Sequence, residues 1–547
     1  MGKKKKSGFT SNFLVQGSIL AIAGLIVRII GLLYRVPLTN IIGEEGIGIY
    51  STAYSIYNIL LLISSYSLPL AVSRLVAARI SLGQYRNARR IFFGALLFAA
   101  CSGGLMCAIT FFGADFFAGV MKMPQASYAI KTLAPTILIM AFLGVFRGYF
   151  QGHNTMIPTA FSQIAEQIVN AVVSIAAGYF LFLSGAARDL AEGLEDYYSA
   201  AFGAAGGTIG TGAGALTALL FCIVVYIFFR RVERIRCHRD RTGSEEAYSY
   251  VMKILIMTIL PVLISTTIYQ ISSVIDQGIF AQYIGGDYEG IWGAYSGKYL
   301  LMIHVPTAIA SSMGSSIIPT LAAAISQNDR KAIVRKTGMA IRFNMIIAIP
   351  ATVGLAVLAG PIMNLLFTGD NTTATSMMIM GSTAVVFTAL STITNSVLQG
   401  IGKIWVPVRN AMISLALHII SLVILLWGFR LGIYGVIIGN ILFYVFMCLL
   451  NQLSIRRRLK YRQEFTKTFV CPIFSSAIMG LAAALSYQIF YALTHSNAFS
   501  LILAIVLAIA VYAVMLLVTK GVEEQDLRSF PKGELLIRIA KKLHLLH

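Results

Sequence analysis

The stretch "VRIIGLLYRVP", Val27 to Pro37, sets two arginines inside a long apolar run. Arg28 and Arg35 are seven residues apart, about two helical turns, so on a helix they share one face. In a bilayer each such charge costs about 2.5–3.5 kcal/mol on insertion scales. A membrane helix tolerates that only where the charged stripe turns towards other helices or a polar cavity. The reading therefore depends on whether the rest of the chain supplies a bundle.

Composition says that it does. Of 547 residues, 57% are hydrophobic and 12% charged, about half the charged share of an ordinary soluble chain. Runs long enough to cross a ~30 Å hydrocarbon core recur from end to end. Fourteen spans are expected, near 13–34, 46–70, 91–113, 130–150, 156–183, 203–229, 252–276, 291–324, 341–362, 374–398, 404–428, 431–452, 469–492 and 498–519. The eighth is long enough to be tilted or broken. "KKKK" (Lys3–Lys6) precedes an apolar run too long for a signal peptide and lacking a small-residue cleavage site, so the first span is read as uncleaved.

The net charge of +21 reports topology. With Lys3–Lys6 inside and fourteen crossings, the cytoplasm receives "RLVAARISLGQYRNARR", "RRVERIRCHRDR", "NDRKAIVRKTGMAIR", "RRRLKYRQ" and the basic C-terminus. Outside loops are acidic: "GEEG", "RDLAEGLEDYY" and "GGDYEG". This is the positive-inside pattern, with both termini cytoplasmic, and not a nucleic-acid-binding charge. The six cysteines lie in or near spans or in an inside loop, so no disulfide framework is implied.

Landmarks recur about 250 residues apart. "QGHNTMIP" (Gln151–Pro158) answers "QGIGKIWVP" (Gln399–Pro407), and "FFRRVERI" answers "LSIRRRLK". Leu68-Pro69 and Ile318-Pro319 each close a span before a basic loop. Six spans per repeat make the halves parallel, with a substrate site expected between them. The chain then divides into a basic N-terminus (1–12), an N-lobe (13–235), a cytoplasmic linker (236–251), a C-lobe (252–455), two extra spans (469–519) and a basic tail (520–547). The tail's "ELLIRIAKKLHLL" reads as an amphipathic helix on the inner leaflet.

Buried ionisable residues are the functional candidates. Arg28 lies too deep in its span to snorkel easily; Arg35, beside Pro37, lies nearer the outer end, where snorkelling competes with function. Lys298, about two turns into the eighth span, is the third cation. Glu166, about 15 Å deep in the fifth span, is either a charge partner for a nearby arginine or a proton site. Asp276 ends the seventh span near the outside, where it could bind a cation or merely sit at the interface. Asn410 and Ser414 share a helix face and could ligate a monovalent cation, although helix–helix hydrogen bonding is the commoner use of such residues. His304 and His418 read as neutral core histidines. "GAAGGTIGTGAGA" (Gly203–Ala215) lacks the Lys-Ser/Thr ending of a phosphate loop and reads as a close helix-packing stripe.

A cationic site within the membrane selects an anion, and arginine binds phosphate oxygens bidentately. A phosphate or diphosphate head on a lipid tail fits a bundle with two extra spans. An enzyme would need catalytic groups in a sizeable external loop. The 184–202 loop, with Asp189, Glu192, Glu195 and Asp196, is too short for a sugar site, and acidic solvation is the expected role.

The fourteen spans, the 6+6 repeat, "RIIGLLYR" and "GKYLLMIHVPTAIASSMGSSIIP" resemble the MOP superfamily, and within it the MurJ and SpoVB/YtgP-type lipid II flippases. The resemblance implies an all-α polytopic fold of two parallel six-helix repeats plus two C-terminal helices. It implies a transporter of the bacterial cytoplasmic membrane, not an enzyme, moving undecaprenyl-diphosphate-linked peptidoglycan precursor outward by alternating access. In that family Arg28, Arg35 and Lys298 would line a cationic cavity, the last two spans would hold the lipid tail, and Asp276 would match a sodium-site aspartate of some members. There are departures. "YNILLLIS" lacks an arginine that MurJ carries at the end of the second span, and Ser414 stands where some members have aspartate. Partners are thus a lipid-linked substrate and membrane lipids, with no nucleic acid, no metal and no cofactor. Coupling to sodium, to protons or to the membrane potential alone stays open, as does the oligomeric state, a monomer included. The alternatives are another undecaprenyl-linked glycan (teichoic, capsular or spore polysaccharide) and, more remotely, a MATE-type cation antiporter.

Two cysteines introduced singly into a cysteine-free background test the topology. Glu195→Cys should react with an impermeant maleimide on intact cells and Ser244→Cys only after permeabilisation. The reverse pattern would invert the chain in the membrane.

Overall fold

The computed structural model describes residues 4–66, 68–238, 240, 242, 245–286, 288–326 and 329–522. "ELLIRIAKKLHLL" lies outside the described residues. The described chain is almost wholly helical, with no strand among the described residues.

Every expected span coincides with a helix or a broken helix. α1 (Lys4–Leu61) contains the first two, divided at Gly43, whose φ of 73° suits only glycine comfortably. What was expected as a loop between spans is thus a one-residue break, and the helix begins within the expected basic N-terminus. After a π-helical turn at Leu62–Tyr66 come α2 (Leu68–Ser81), α3 (Tyr85–Phe112), α4 (Ala114–Val120), α5 (Ala126–Gly152), α6 (Ile157–Glu192), α7 (Tyr197–His238) and α8 (Tyr248–Ile284). The eighth expected span is broken into α9 (Glu289–Gly293), a π-helical turn at Ala294–Tyr299 and α10 (Leu300–Ser326). α11 (Arg330–Val357), α12 (Ala359–Leu366), α13 (Thr372–Gly381), α14 (Ala384–Gly400), α15 (Trp405–Val423), α16 (Ile433–Leu459), α17 (Cys471–Thr494) and α18 (Asn497–Val518) complete the chain. Among the described residues ten helical stretches are long and apolar enough to cross a bilayer, and α13 with α14 form a further span bent by 47°. The first of the ten, Ile26–Ser81, has length for two crossings, and α8 and α10 have length for one each, so the helices are consistent with fourteen.

The chain forms two compact units, Met1–Gly297 and Lys298–His547. The repeat was divided at 236–251, but compactness divides the chain later, because Val251 and Leu255 of α8 join the core of the first unit. That core gathers Leu68 and Val72 of α2, Phe92 of α3, Tyr149 and Phe150 of α5 and Cys222 of α7.

The glycine-rich stretch is a packing stripe. A Cβ at Gly206, Gly210 or Gly214 of α7 would stand 2.3 Å from Ala177 O, 2.1 Å from Ser174 Oγ and 2.4 Å from Glu166 O, all on α6. The i, i+4 spacing lets the two backbones touch along their length. A second close approach joins α9 to α1, where a Cβ at Gly293 would meet Glu44 O at 1.7 Å and one at Gly48 would meet Glu289 O at 2.1 Å.

The segment 184–202 corrects an expectation. α6 runs on to Glu192, ends on left-handed Gly193 (φ 70°), and α7 starts at Tyr197. Asp189 is not a solvated loop acid. It is 4% exposed, and its carboxylate accepts the amides of Tyr198 and Ser199 at 2.8 Å each. Those amides are first-turn donors of α7 with no partner inside the helix, so the acid serves as a cap.

In the second unit Met479 and Ala483 of α17 pack on Leu501 and Ala508 of α18, with Leu358 beside them. Among polar contacts, Tyr512 of α18 donates to Ile346 O of α11 at 2.7 Å.

A valine at Gly210 has no room and should cost at least about 3 kcal/mol by overpacking. Gly104→Ala, with nothing within 4 Å of its Cβ position, should melt like the parent. Thermal unfolding in detergent compares the two. Equal melting of Gly210→Val and parent would mean that α6 and α7 are not in backbone contact.

Candidate substrate-binding site

α1 carries the first-span arginines along the flank of α6. Gly31, between them, has its Cβ position 3.2 Å from Gln167 Nε2. Arg28 is exposed and Arg35 half-buried. Beyond the Gly43 break the same helix presents "YSTAYSIY", which puts Tyr50, Tyr54 and Tyr57 on one face at i, i+4 and i+7. The Arg35 guanidinium carbon lies 5.8 Å from the ring centroid of Tyr50 and 5.9 Å from that of Tyr54, inside cation–π range. The Tyr34 and Tyr50 hydroxyls are 3.3 Å apart. Tyr54 shares a hydrogen bond with Thr211 of α7, and Thr211 reaches Asn170 Oδ1 of α6 at 3.5 Å. Arg35 is therefore set against aromatic faces and phenol hydroxyls. Sequence reading missed this cluster, although the tyrosine spacing was a visible signal.

Glu166 has a partner that sequence reading did not name. Arg147 of α5, 8% exposed, places Nη2 2.6 Å from Glu166 Oε2 and donates from Nε to Ser162 Oγ at 2.9 Å. The bond to Ser162 fixes the fork, so this is an oriented pair within the bundle. Its signal was the arginine in "VFRGYFQG", which sits near a span end and passes for a snorkelling residue.

The other candidates are placed as follows. Asp276 is 1% exposed in the first unit; next to it Gln277 donates to Thr52 of α1. Lys298, in the π-helical turn, is 2% exposed. Its ammonium donates to Asn371 Oδ1 at 2.7 Å and stands 5.8 Å from the Phe367 ring centroid. In the second unit Asn410 donates to Asn451 Oδ1 (2.9 Å) and Ser454 Oγ (3.3 Å), and Asn451 donates to Asn395 Oδ1 (2.7 Å) and Thr394 Oγ1 (3.1 Å). These amides tie α14, α15 and α16 together. Ser414 lies 3.8 Å from Met447 Sδ. His418 Nδ1 is 2.8 Å from Gly439 O, the hydrogen-bonded core role expected of it, while His304 is exposed.

Residues 14–325, more than half of the chain, match the family model described as polysaccharide biosynthesis protein. The chain belongs to that family. Stage V sporulation protein B of Bacillus subtilis (strain 168) is 24% identical over 96% of this chain and 99% of its own length. Lipid II flippase MurJ of the same organism is 24% identical over 86% of this chain and 88% of its own. Among solved structures, a lipid II flippase MurJ in an inward closed conformation aligns with a TM-score of 0.63 and 17% identity, covering 91% of this chain and 97% of that one. An inward-facing MATE family multidrug transporter of the MOP superfamily aligns at 0.65 and 18%, covering 82% and 98%. This family member shares the fold of those two structures.

The Arg147–Glu166 pair gives a stability test. With side chains only 10% and 20% exposed, Arg147→Ala should destabilise by about 3 kcal/mol, because it leaves a carboxylate without its countercharge. Adding Glu166→Gln should recover much of that loss. Strict additivity in the double-mutant cycle would mean that the two side chains do not interact.

Proposed function

We propose that this protein is a flippase that moves an undecaprenyl-diphosphate-linked glycan, lipid II in the first instance, from the inner to the outer leaflet. The observation that carries the proposal is the arginine stripe of α1 with the tyrosine cluster around Arg35. An anion-selective site in the membrane needs fixed positive charge and neutral hydrogen-bond donors; guanidinium groups and phenols supply both. Arg35 and Arg28 hold the diphosphate, and the hydroxyls of Tyr34, Tyr50 and Tyr54 offer further donors to phosphate or sugar oxygens. Glu166 neutralises Arg147. Lys298, in the second unit, donates to Asn371. The similarity to lipid II flippase MurJ supports the lipid II reading, and membership of the polysaccharide biosynthesis protein family keeps a different lipid-linked glycan as the second reading.

The test measures outer-face lipid II in cells depleted of their own flippase and expressing this chain or a variant at matched membrane abundance. The wild type should restore exposure. Arg35→Ala and Arg28→Ala should each reduce it by about tenfold or more, the loss of a charge-assisted hydrogen bond, and Tyr54→Phe should do so more mildly. Rescue by both arginine variants would remove those residues from the substrate site. Failure of the folded wild type would exclude lipid II and turn the search to other undecaprenyl-linked glycans.

A further inference from the structure

Away from the arginine–tyrosine cluster, the first unit has a basic cavity at one end. The start of α3, the end of α7 and the approach to α8 enclose about 580 Å³. Five arginines line it, Arg86, Arg89 and Arg90 from α3 and Arg230 and Arg234 from α7, against two glutamates, Glu233 and Glu245. Part of this charge is already engaged. Arg90 pairs with Glu245, donates to Glu246 O at 2.6 Å and lies 5.6 Å over the Tyr248 ring. Arg86 Nη1 is 3.6 Å from Glu245 Oε1, and its Nε donates to Cys237 O at 3.3 Å. Glu233 accepts hydrogen bonds from the hydroxyls of Tyr149 (2.5 Å) and Tyr226 (3.2 Å). Arg89, Arg230 and Arg234 are exposed and make no ion pair among the described residues.

Three solvent-facing guanidinium groups around one cavity are an anion site in the chemical sense, since each offers a planar fork to phosphate oxygens. The surroundings indicate what carries the anion. Phe93 and Tyr248, both lining the cavity, are 45% and 51% exposed. A free phosphate has no use for such a wall, whereas acyl chains cover it. The basic segments that build the cavity are those expected on the cytoplasmic side, whose leaflet is anionic; basic pockets between spans at that level suit lipid headgroups. We propose that this cavity binds the headgroup of an anionic phospholipid, its phosphodiester on Arg89, Arg230 and Arg234 and its chains against the exposed rings of Phe93 and Tyr248. Such a lipid would tie α3, α7 and α8 together at this end of the unit. The site uses none of the residues assigned to the flipped substrate and stands whatever glycan is carried.

The experiment takes the full-length protein in detergent and follows its thermal unfolding with phosphatidylglycerol, phosphatidylcholine or inorganic phosphate added. Phosphatidylglycerol should raise the melting temperature saturably, while phosphatidylcholine and millimolar phosphate should not. The Arg230→Ala/Arg234→Ala variant should need at least tenfold more phosphatidylglycerol, whereas Arg188→Ala, at the far end of α6, should behave like the parent. Should the double variant not fold, Arg89→Gln should show a smaller shift in the same direction. An unchanged titration in a folded cavity variant would overturn the site. An equal response to phosphate alone would overturn the lipid assignment in favour of a soluble anion.

Discussion

The first unit depends on the face that α6 turns towards α7. Glu166, Asn170, Ser174 and Ala177 lie along it at helical spacing, and α7 meets them with glycines rather than side chains. A polar helix face in an apolar setting is costly unless each group finds a partner. Here removing side chains from α7 solves the problem, because its backbone comes near enough to take part. Ser174 donates to Gly207 O at 2.7 Å, and Asn170 accepts from Ser174 at 2.9 Å. Glu166, at the end of the row, is reached by Arg147 from α5. Close packing and charge compensation are here one constraint. A bulkier α7 would both push the helices apart and strand the polar groups between them.

Much of this was legible in sequence. Spans could be read because a bilayer demands long apolar runs and punishes charge, which leaves a strong one-dimensional signal. The glycine stripe could be read because small residues at four-residue spacing have few uses other than close contact. What escaped were relations between distant segments. Glu166 stood out alone, but its partner Arg147 looks like a span-end residue until α5 is folded against α6. Asp189 looked like one acid among several in a short loop. Its capping role depends on the turn at Gly193, which returns the chain so that the carboxylate meets two amides nine and ten residues on. The tyrosines near Arg35 had the right spacing, yet aromatic residues at that spacing more often signal packing than a site, and only the position of the guanidinium separates the two.

The polar groups of the second unit are resolved differently. Asn410, Asn451, Asn395 and Thr394 satisfy one another across three helices, so carboxamides act there as cross-links. Lys298 likewise donates to an amide oxygen, that of Asn371.

The break at Gly43 has a mechanical consequence. Arg35 and its two tyrosines belong to one continuous helix in sequence but to separate rods in space, with that glycine as the joint. Arg35 is eight residues from the joint, a lever arm of about 12 Å. A change of about 10° in the torsions of this one residue therefore displaces the guanidinium by about 2 Å relative to the rings. A single rotatable backbone position thus sets the reach of the charge, and a residue with no side chain calibrates the site.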